Sequence, residues 1–335
     1  MGRKSDELCW YLNRPEVFAD FCNGSIYGGK DVIAPYELAE AQHVYSPKRK
    51  KGRRYPGRRE RDVIKLLCRE GHFVKIAVEN QDRLNYCMPL RCSEYDLMEI
   101  ARQVRRIKER RKREGTLKGG VEYLSGIKEG DRVIPVVTVV FYHGEGKWTT
   151  GRRLRDMLDM GGMDEELKNL MADYRMNVVC LEELEETHFK TGLRDLIGLM
   201  KRKGNREEFK KYCEENAERL QHMDAETYDV ICAMLDIASL FPQKDDMQDG
   251  EREEYDMCVA IREMVREGKM QGIEIGEKRG EERGEKRGEK RGRKLGEKRL
   301  GLLMERLLQD GRQEDALRAS RYASARKKLY LEYEI

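Results

Sequence analysis

The chain has 335 residues, of which 39% are charged and 39% apolar, with a formal net charge of +4. A charged share well above the usual ~25% marks part of the chain as solvated or low in complexity, while the length suits two structural regions at roughly 150 residues per domain. Met1 to Trp10 lacks an apolar leader core, and no stretch reaches the ~18 apolar residues of a membrane span, which argues against secretion and insertion. The nine cysteines include no pair at the two-residue spacing of a zinc knuckle or redox motif, and read as reduced thiols of a cytoplasmic protein.

From Pro15 to Tyr27 the residues Val17, Phe18, Phe21, Cys22 and Ile26 fall at helical spacing, with Gly28 and Gly29 as the stop. Lys48 to Arg59 is basic and rich in Gly and Pro, so it reads as a loop. Asp62 to Cys68 and His72 to Val78 are β-compatible runs separated by Arg69-Glu70-Gly71, the pattern of a hairpin. Met88 to Lys112 reads as a long helix, ended by Gly115, Gly119 and Gly120. Val133 to Tyr142 is apolar on both faces, as a buried strand must be, and Asn177 to Leu181 is a further short strand. His188 to Lys203, Arg206 to Arg219 and Ala225 to Phe241 are candidate helices of an accessory bundle.

Gly272, Gly276, Gly280, Gly284, Gly288, Gly292 and Gly296 then recur every fourth residue among Glu, Lys and Arg. Each interior Gly costs a helix about 1 kcal/mol against Ala, and the repeated Glu277, Glu281, Glu285 and Glu289 repel mildly at i,i+4. Such a helix is marginal alone, and self-association through the glycine stripe or a flexible charged linker are the two readings. Leu302, Leu303, Leu307 and Leu308 restore an amphipathic pattern before a short helical end. The expected organisation is an α/β domain over 1–185, a helical accessory region over 186–245, the glycine-repeat tail over 246–310 and a C-terminal helical segment over 311–335.

Hydrolysis of a phosphodiester needs a cation on the phosphate, an activated water and stabilisation of the departing oxygen. Antiparallel pairing of the two hairpin runs would bring Asp62, at the start of one, beside Glu79, at the end of the other. A hard cation such as Mg²⁺ takes oxygen ligands, which Asp62, Glu79 and the backbone carbonyl of Asn80 would supply. Basic runs at Lys48 to Arg61 and Arg102 to Arg113 suit sequence-independent contact with DNA phosphates, and the second run also fits a solvated helix face. His143, at the end of the apolar strand, reads as a hydrogen-bonded structural histidine or as a contact to a phosphate or water, whereas Arg91 and Tyr95 could brace Glu79 or meet the DNA backbone.

The motifs Arg59-Glu60-Arg61-Asp62-Val63-Ile64-Lys65, Val78-Glu79-Asn80-Gln81, Met88-Pro89-Leu90-Arg91 with Tyr95, and Ile134-Pro135-Val136-Val137 leading to Phe141-Tyr142-His143-Gly144 together resemble the recombination-promoting nuclease (Rpn) family, also called YhgA-like transposases. The resemblance runs through most of the first 200 residues and extends to the glycine-repeat tail. It implies a PD-(D/E)xK nuclease fold, a mixed sheet flanked by helices, and DNA cleavage dependent on Mg²⁺ or Mn²⁺, in recombination or mobile-element activity. Asp62, Glu79 and Gln81 correspond to the catalytic residues, with Asp62, Glu79, the Asn80 carbonyl and Asp20 as metal ligands. Gln81 stands where the superfamily name records a lysine, and the resemblance gives it the role of a water-orienting amide. Arg53, Arg54, Arg58, Arg59, Arg61 and Arg91 are the expected DNA contacts. A catalytically weak or inactive DNA-binding or assembly protein that retains the fold is the alternative.

Overall fold

Glu70 and Gly71 both adopt positive φ, 49° and 80°, the combination that a two-residue I′ turn requires and that joins twisted antiparallel strands tightly. The break between the two apolar runs is therefore the turn of a hairpin, and the sheet grows from it. The computed structural model describes residues 3–41, 44–45, 59–237 and 255–335. In chain order these form α1 (Arg3–Leu12), α2 (Pro15–Ile26), β1 (Leu38–Glu40), β2 (Val44–Tyr45), β3 (Arg59–Glu60), β4 (Val63–Arg69), β5 (His72–Gln81), α3 (Met88–Glu114), α4 (Gly119–Ser125), β6 (Val136–Tyr142), α5 (Glu165–Leu170), β7 (Asn177–Cys180), α6 (Leu193–Arg202), α7 (Arg206–Glu215), α8 (Ala217–Gln221), α9 (Ala225–Met234), α10 (Met257–Gln309), α11 (Gln313–Arg321) and α12 (Ala323–Glu332).

The main sheet is mixed, in the order β1-β4-β5-β6-β7. β1, β4 and β5 pair antiparallel, and β5, β6 and β7 pair parallel, because α3 carries the chain back between β5 and β6 as a crossover. β2 and β3 form a separate antiparallel pair immediately upstream of Arg61. α3 covers one face, where Met88 and Cys92 pack with Val140, Tyr142, Trp148 and Met176. α2 lies on the other face, with Phe21 edge-on to Phe141 at 5.1 Å between ring centroids. α1 leans on α9 through Tyr11, whose hydroxyl lies 2.8 Å from Thr227 Oγ1.

Several expected boundaries move, each for a local reason. β6 starts at Val136 rather than Val133, because Pro135 has no N–H for the ladder and both backbone groups of Ile134 bond to the Gln103 amide instead. The helix expected from His188 begins at Leu193, since Asp20 holds the backbone of Lys190 and Thr191. Asn216 divides the helix expected over Arg206 to Arg219, its Nδ2 donating to the Tyr212 carbonyl at 2.7 Å. α9 closes at Met234, and Asp236 takes φ 63° beyond it. Helix α1 was not foreseen, although Leu8, Tyr11 and Leu12 are buried at helical spacing.

The chain divides into two compact units, 1–261 and 262–335. In the second, Leu303 and Leu307 of α10 pack with Ala316, Ala319 and Leu329 of the two short helices that follow. The glycine repeat lies within α10. Among the described residues no helix is long and apolar enough to cross a membrane.

Candidate active site

Val63 pairs with Val78 at the open end of the hairpin, so Asp62 stands opposite Glu79 one step further on. The Asn80 N–H, which has no strand partner there, donates to Asp62 Oδ2 at 2.7 Å. This bond holds one carboxylate oxygen of Asp62 at the sheet end. Glu79 is fully buried, and Arg91 from the second turn of α3 donates through Nη2 to its Oε2 at 3.2 Å. Asp62 Oδ1 and Glu79 Oε1 are buried and accept no hydrogen bond. Unsatisfied buried carboxylate oxygens are costly, and two of them on facing side chains are the donor set that a hard cation takes.

Burial pushes the Glu79 carboxyl up to about 8, and the facing Asp62 charge adds to the rise against the opposing pull of Arg91 and Arg61. Burial also raises Asp62, opposed by the Asn80 N–H and by Arg91. Ionising both carboxyls would therefore place more negative charge together than their surroundings neutralise. The residues fit a divalent cation, with Asp62 and Glu79 as the groups that would hold it.

Gln81 lies two residues beyond Glu79 on the same strand, and its Nε2 donates to the Asn80 carbonyl at 2.7 Å. The carbonyl expected as a metal ligand is thus engaged by the neighbouring amide. Asp20 differs more. Its oxygens accept from the backbone N–H groups of Lys190 and Thr191 and from Thr191 Oγ1, so it ties α2 to the entrance of α6 rather than joining Asp62. Asn23 is also structural, its side chain pairing with the backbone of Val32 and Ile33.

The acidic group on a helix that does act on Asp62 is the exposed Asp6 of α1, whose charge adds to the rise in Asp62. On the same helix Cys9 Sγ accepts from Asn80 Nδ2 at 3.3 Å, and burial raises its thiol to about 11. Neither is legible in the sequence, where Leu8, Tyr11 and Leu12 are a short apolar pattern among charges. Among the described residues no group of three or more His, Cys, Asp and Glu side chains is arranged to hold a metal.

Arg61 is not at the surface. Its side chain is fully buried, and Nη1 and Nη2 donate to Thr138 Oγ1 and Asp96 Oδ1, both at 2.6 Å. The hydroxyl of Tyr174 donates to the other oxygen of Asp96 at 2.7 Å. Arg61 pins the chain entering Asp62 to β6 and α3, which corrects its expected role as a DNA contact. The guanidinium groups of Arg61 and Arg91 lie 5.2 and 5.5 Å from the ring centroid of Tyr95. Arg53, Arg54 and Arg58 fall outside the described residues, and Arg59 is a position of β3. On α3, Arg102 and Arg111 pair with Glu99 and Asp131, while Arg105, Lys112 and Arg113 are exposed. His143 is buried beside Phe141, and burial lowers it to about 4, so it is neutral at pH 7.

Sheet and site together define a mixed α/β protein with paired carboxylates at one end of its sheet. Residues 122–230 match the family model described as "Putative transposase, YhgA-like". That segment, which holds β6, β7 and helices α5 to α8, is similar to the YhgA-like family, and of the motifs that carry the resemblance Ile134 to Val137 and Phe141 to Gly144 lie in it. Asp62, Glu79 and Gln81 precede the matched segment. No curated protein and no solved structure matches the chain.

Proposed function

We propose that the chain is a PD-(D/E)xK-type, metal-dependent DNA endonuclease acting in recombination or mobile-element movement. The observation that carries this reading is the facing pair Asp62 and Glu79, each with one buried oxygen lacking a partner. The match of the adjoining segment to a transposase family model supports DNA as the substrate.

Asp62 and Glu79 would hold the cation, Asp62 kept in place by the Asn80 N–H and Glu79 by Arg91. Mg²⁺ or Mn²⁺, when bound, lowers the pKa of a coordinated water and polarises the phosphate. Water oxygen bonds to phosphorus, one phosphorus–oxygen ester bond breaks, and the departing sugar oxygen takes up a proton. Gln81, once its amide leaves the Asn80 carbonyl, can orient that water. The basic run before Arg61 would bring phosphates to this end of the sheet, because β3 delivers the chain directly into Asp62.

A DNA-binding or assembly protein with little turnover is the second reading, favoured by the Gln81 amide being turned onto the Asn80 carbonyl. Plasmid cleavage by purified protein in Mg²⁺ or Mn²⁺, with and without Asp62→Ala, separates the two. Cleavage lost on substitution supports the nuclease. An inert wild type that still binds DNA supports the second reading.

A further inference from the structure

Phosphodiester hydrolysis adds negative charge to a centre that already holds two carboxylates, and a neutral Gln81 offsets none of it. We propose that Arg91 is a catalytic residue whose guanidinium reaches the scissile phosphate and stabilises the charge that develops on it. The proposal rests on the nuclease reading.

Two guanidinium groups act on Glu79, those of Arg91 and Arg61. Arg61 cannot serve a substrate, because its side chain is fully buried and directed into Thr138 and Asp96. Arg91 can. Its side chain is 30% exposed, it touches Glu79 at 3.2 Å, and its charge also acts on Asp62. A guanidinium has five N–H donors and stays charged at any working pH, so contacts with Glu79 and Tyr95 leave donors for a phosphate oxygen. The Tyr95 ring, buried on α3, supports the group from one side at 5.5 Å.

The position also explains how a strand with Gln81 can serve this chemistry: the cation comes from the helix that packs over the strand. Arg91 moves no proton. Its contribution is greatest when the phosphorus carries both entering and leaving oxygens, so its removal should lower kcat more than it raises KM.

Three variants test this, Arg91→Ala, Arg91→Lys and the double variant Arg91→Ala with Gln81→Lys, assayed for cleavage in Mg²⁺ or Mn²⁺, for DNA affinity without divalent metal, and for melting temperature. Arg91→Ala should lower kcat by about a hundredfold or more, with KM and metal-free affinity within about threefold of wild type. Arg91→Lys should keep more activity than Arg91→Ala. In the double variant the lysine returns a cation to the face that Glu79 and Gln81 share, and should recover about tenfold or more of the lost kcat. A brace for Glu79 alone would show lower melting temperatures and no rescue by lysine at 81, which overturns the proposal. Active wild type with an equally active Arg91→Ala overturns it while leaving the nuclease reading intact. A wild type that cuts no DNA in either metal overturns both.

Discussion

Asp62 lies directly across the hairpin from Glu79, one residue beyond the Val63–Val78 pair, and each carboxylate keeps one buried oxygen without a partner. The pairing register creates this juxtaposition, so neither residue can be moved without shifting every side chain of β4 to the other face. Asp62→Ala and Glu79→Ala should each abolish metal-dependent cleavage while the far-ultraviolet spectrum stays that of the wild type. Near-normal cleavage in either variant would remove the pair from the active centre.

The same geometry predicts a pH dependence of stability in metal-free buffer. Glu79 has a folded pKa of about 8 against an ordinary 4.5, so the folded state retains a proton that the unfolded chain releases. Its stabilising contribution is complete below about pH 4.5 and is lost as pH rises through about 8. At roughly 1.4 kcal/mol per pKa unit the loss is on the order of a few kcal/mol. Glu79→Gln should therefore melt higher than wild type at pH 8 and alike near pH 4.5. Parallel melting curves for the two proteins across this range would show that Glu79 does not titrate as its burial requires.

Arg61 gives a prediction of the opposite kind. Arg61→Ala would leave Asp96 buried without its charged partner, and breaking such a pair costs about 3–5 kcal/mol. Chemical denaturation should show that loss, with Asp96→Asn losing less because the amide oxygen can still accept from Arg61 and the Thr138 hydroxyl while the amide N–H donates to the Tyr174 hydroxyl. An unaltered denaturation midpoint for Arg61→Ala would return Arg61 to the surface role that its place in a basic run suggests.

The hairpin, α3 and β6 were legible because each follows from period and punctuation: alternating or continuous apolar runs, a Glu-Gly turn, and Gly115 after a helical stretch. The facing of Asp62 and Glu79 followed from antiparallel pairing alone. What was not legible depends on contacts between distant residues. Nothing local in Arg59-Glu60-Arg61 distinguishes an arginine that enters the core from one that stays in solvent. The buried acceptor, Asp96, lies 35 residues away and meets it only after α3 has packed on the sheet. The same holds for Asp20, whose partners, Lys190 and Thr191, are on a segment 170 residues further along. Asp6 stands on a helix of ten residues whose approach to Asp62 depends on tertiary packing and not on local pattern.

The basic run before Arg61 should act through charge alone. Replacing Arg53, Arg54, Arg58 and Arg59 together by Ala should weaken binding to unrelated DNA sequences equally and flatten its salt dependence, since each phosphate contact contributes about 0.9 to the slope of log affinity against log salt. An unchanged slope would make the run a solvated insert, and cleavage would then need another route for DNA to the carboxylates.

The glycine repeat allows the last test. Gly288, Gly292 and Gly296 lie in α10, and an added Cβ at any of them would meet nothing within 4 Å among the described residues. A single helix gains about 1 kcal/mol from each Gly→Ala change, so to a lone helix these three glycines are a cost. A second helix lying along the stripe gives them a purpose, because residues without a Cβ let two backbones approach closely. A four-residue repeat exceeds the natural 3.6, so such a pair would wind right-handed. We therefore expect light scattering to give the full chain a larger mass than a chain ending at Arg266, and the triple alanine variant to lose mass while gaining helicity. Equal monomeric masses, with helicity raised by the alanines, would show a lone charged helix whose glycines serve to keep it weak.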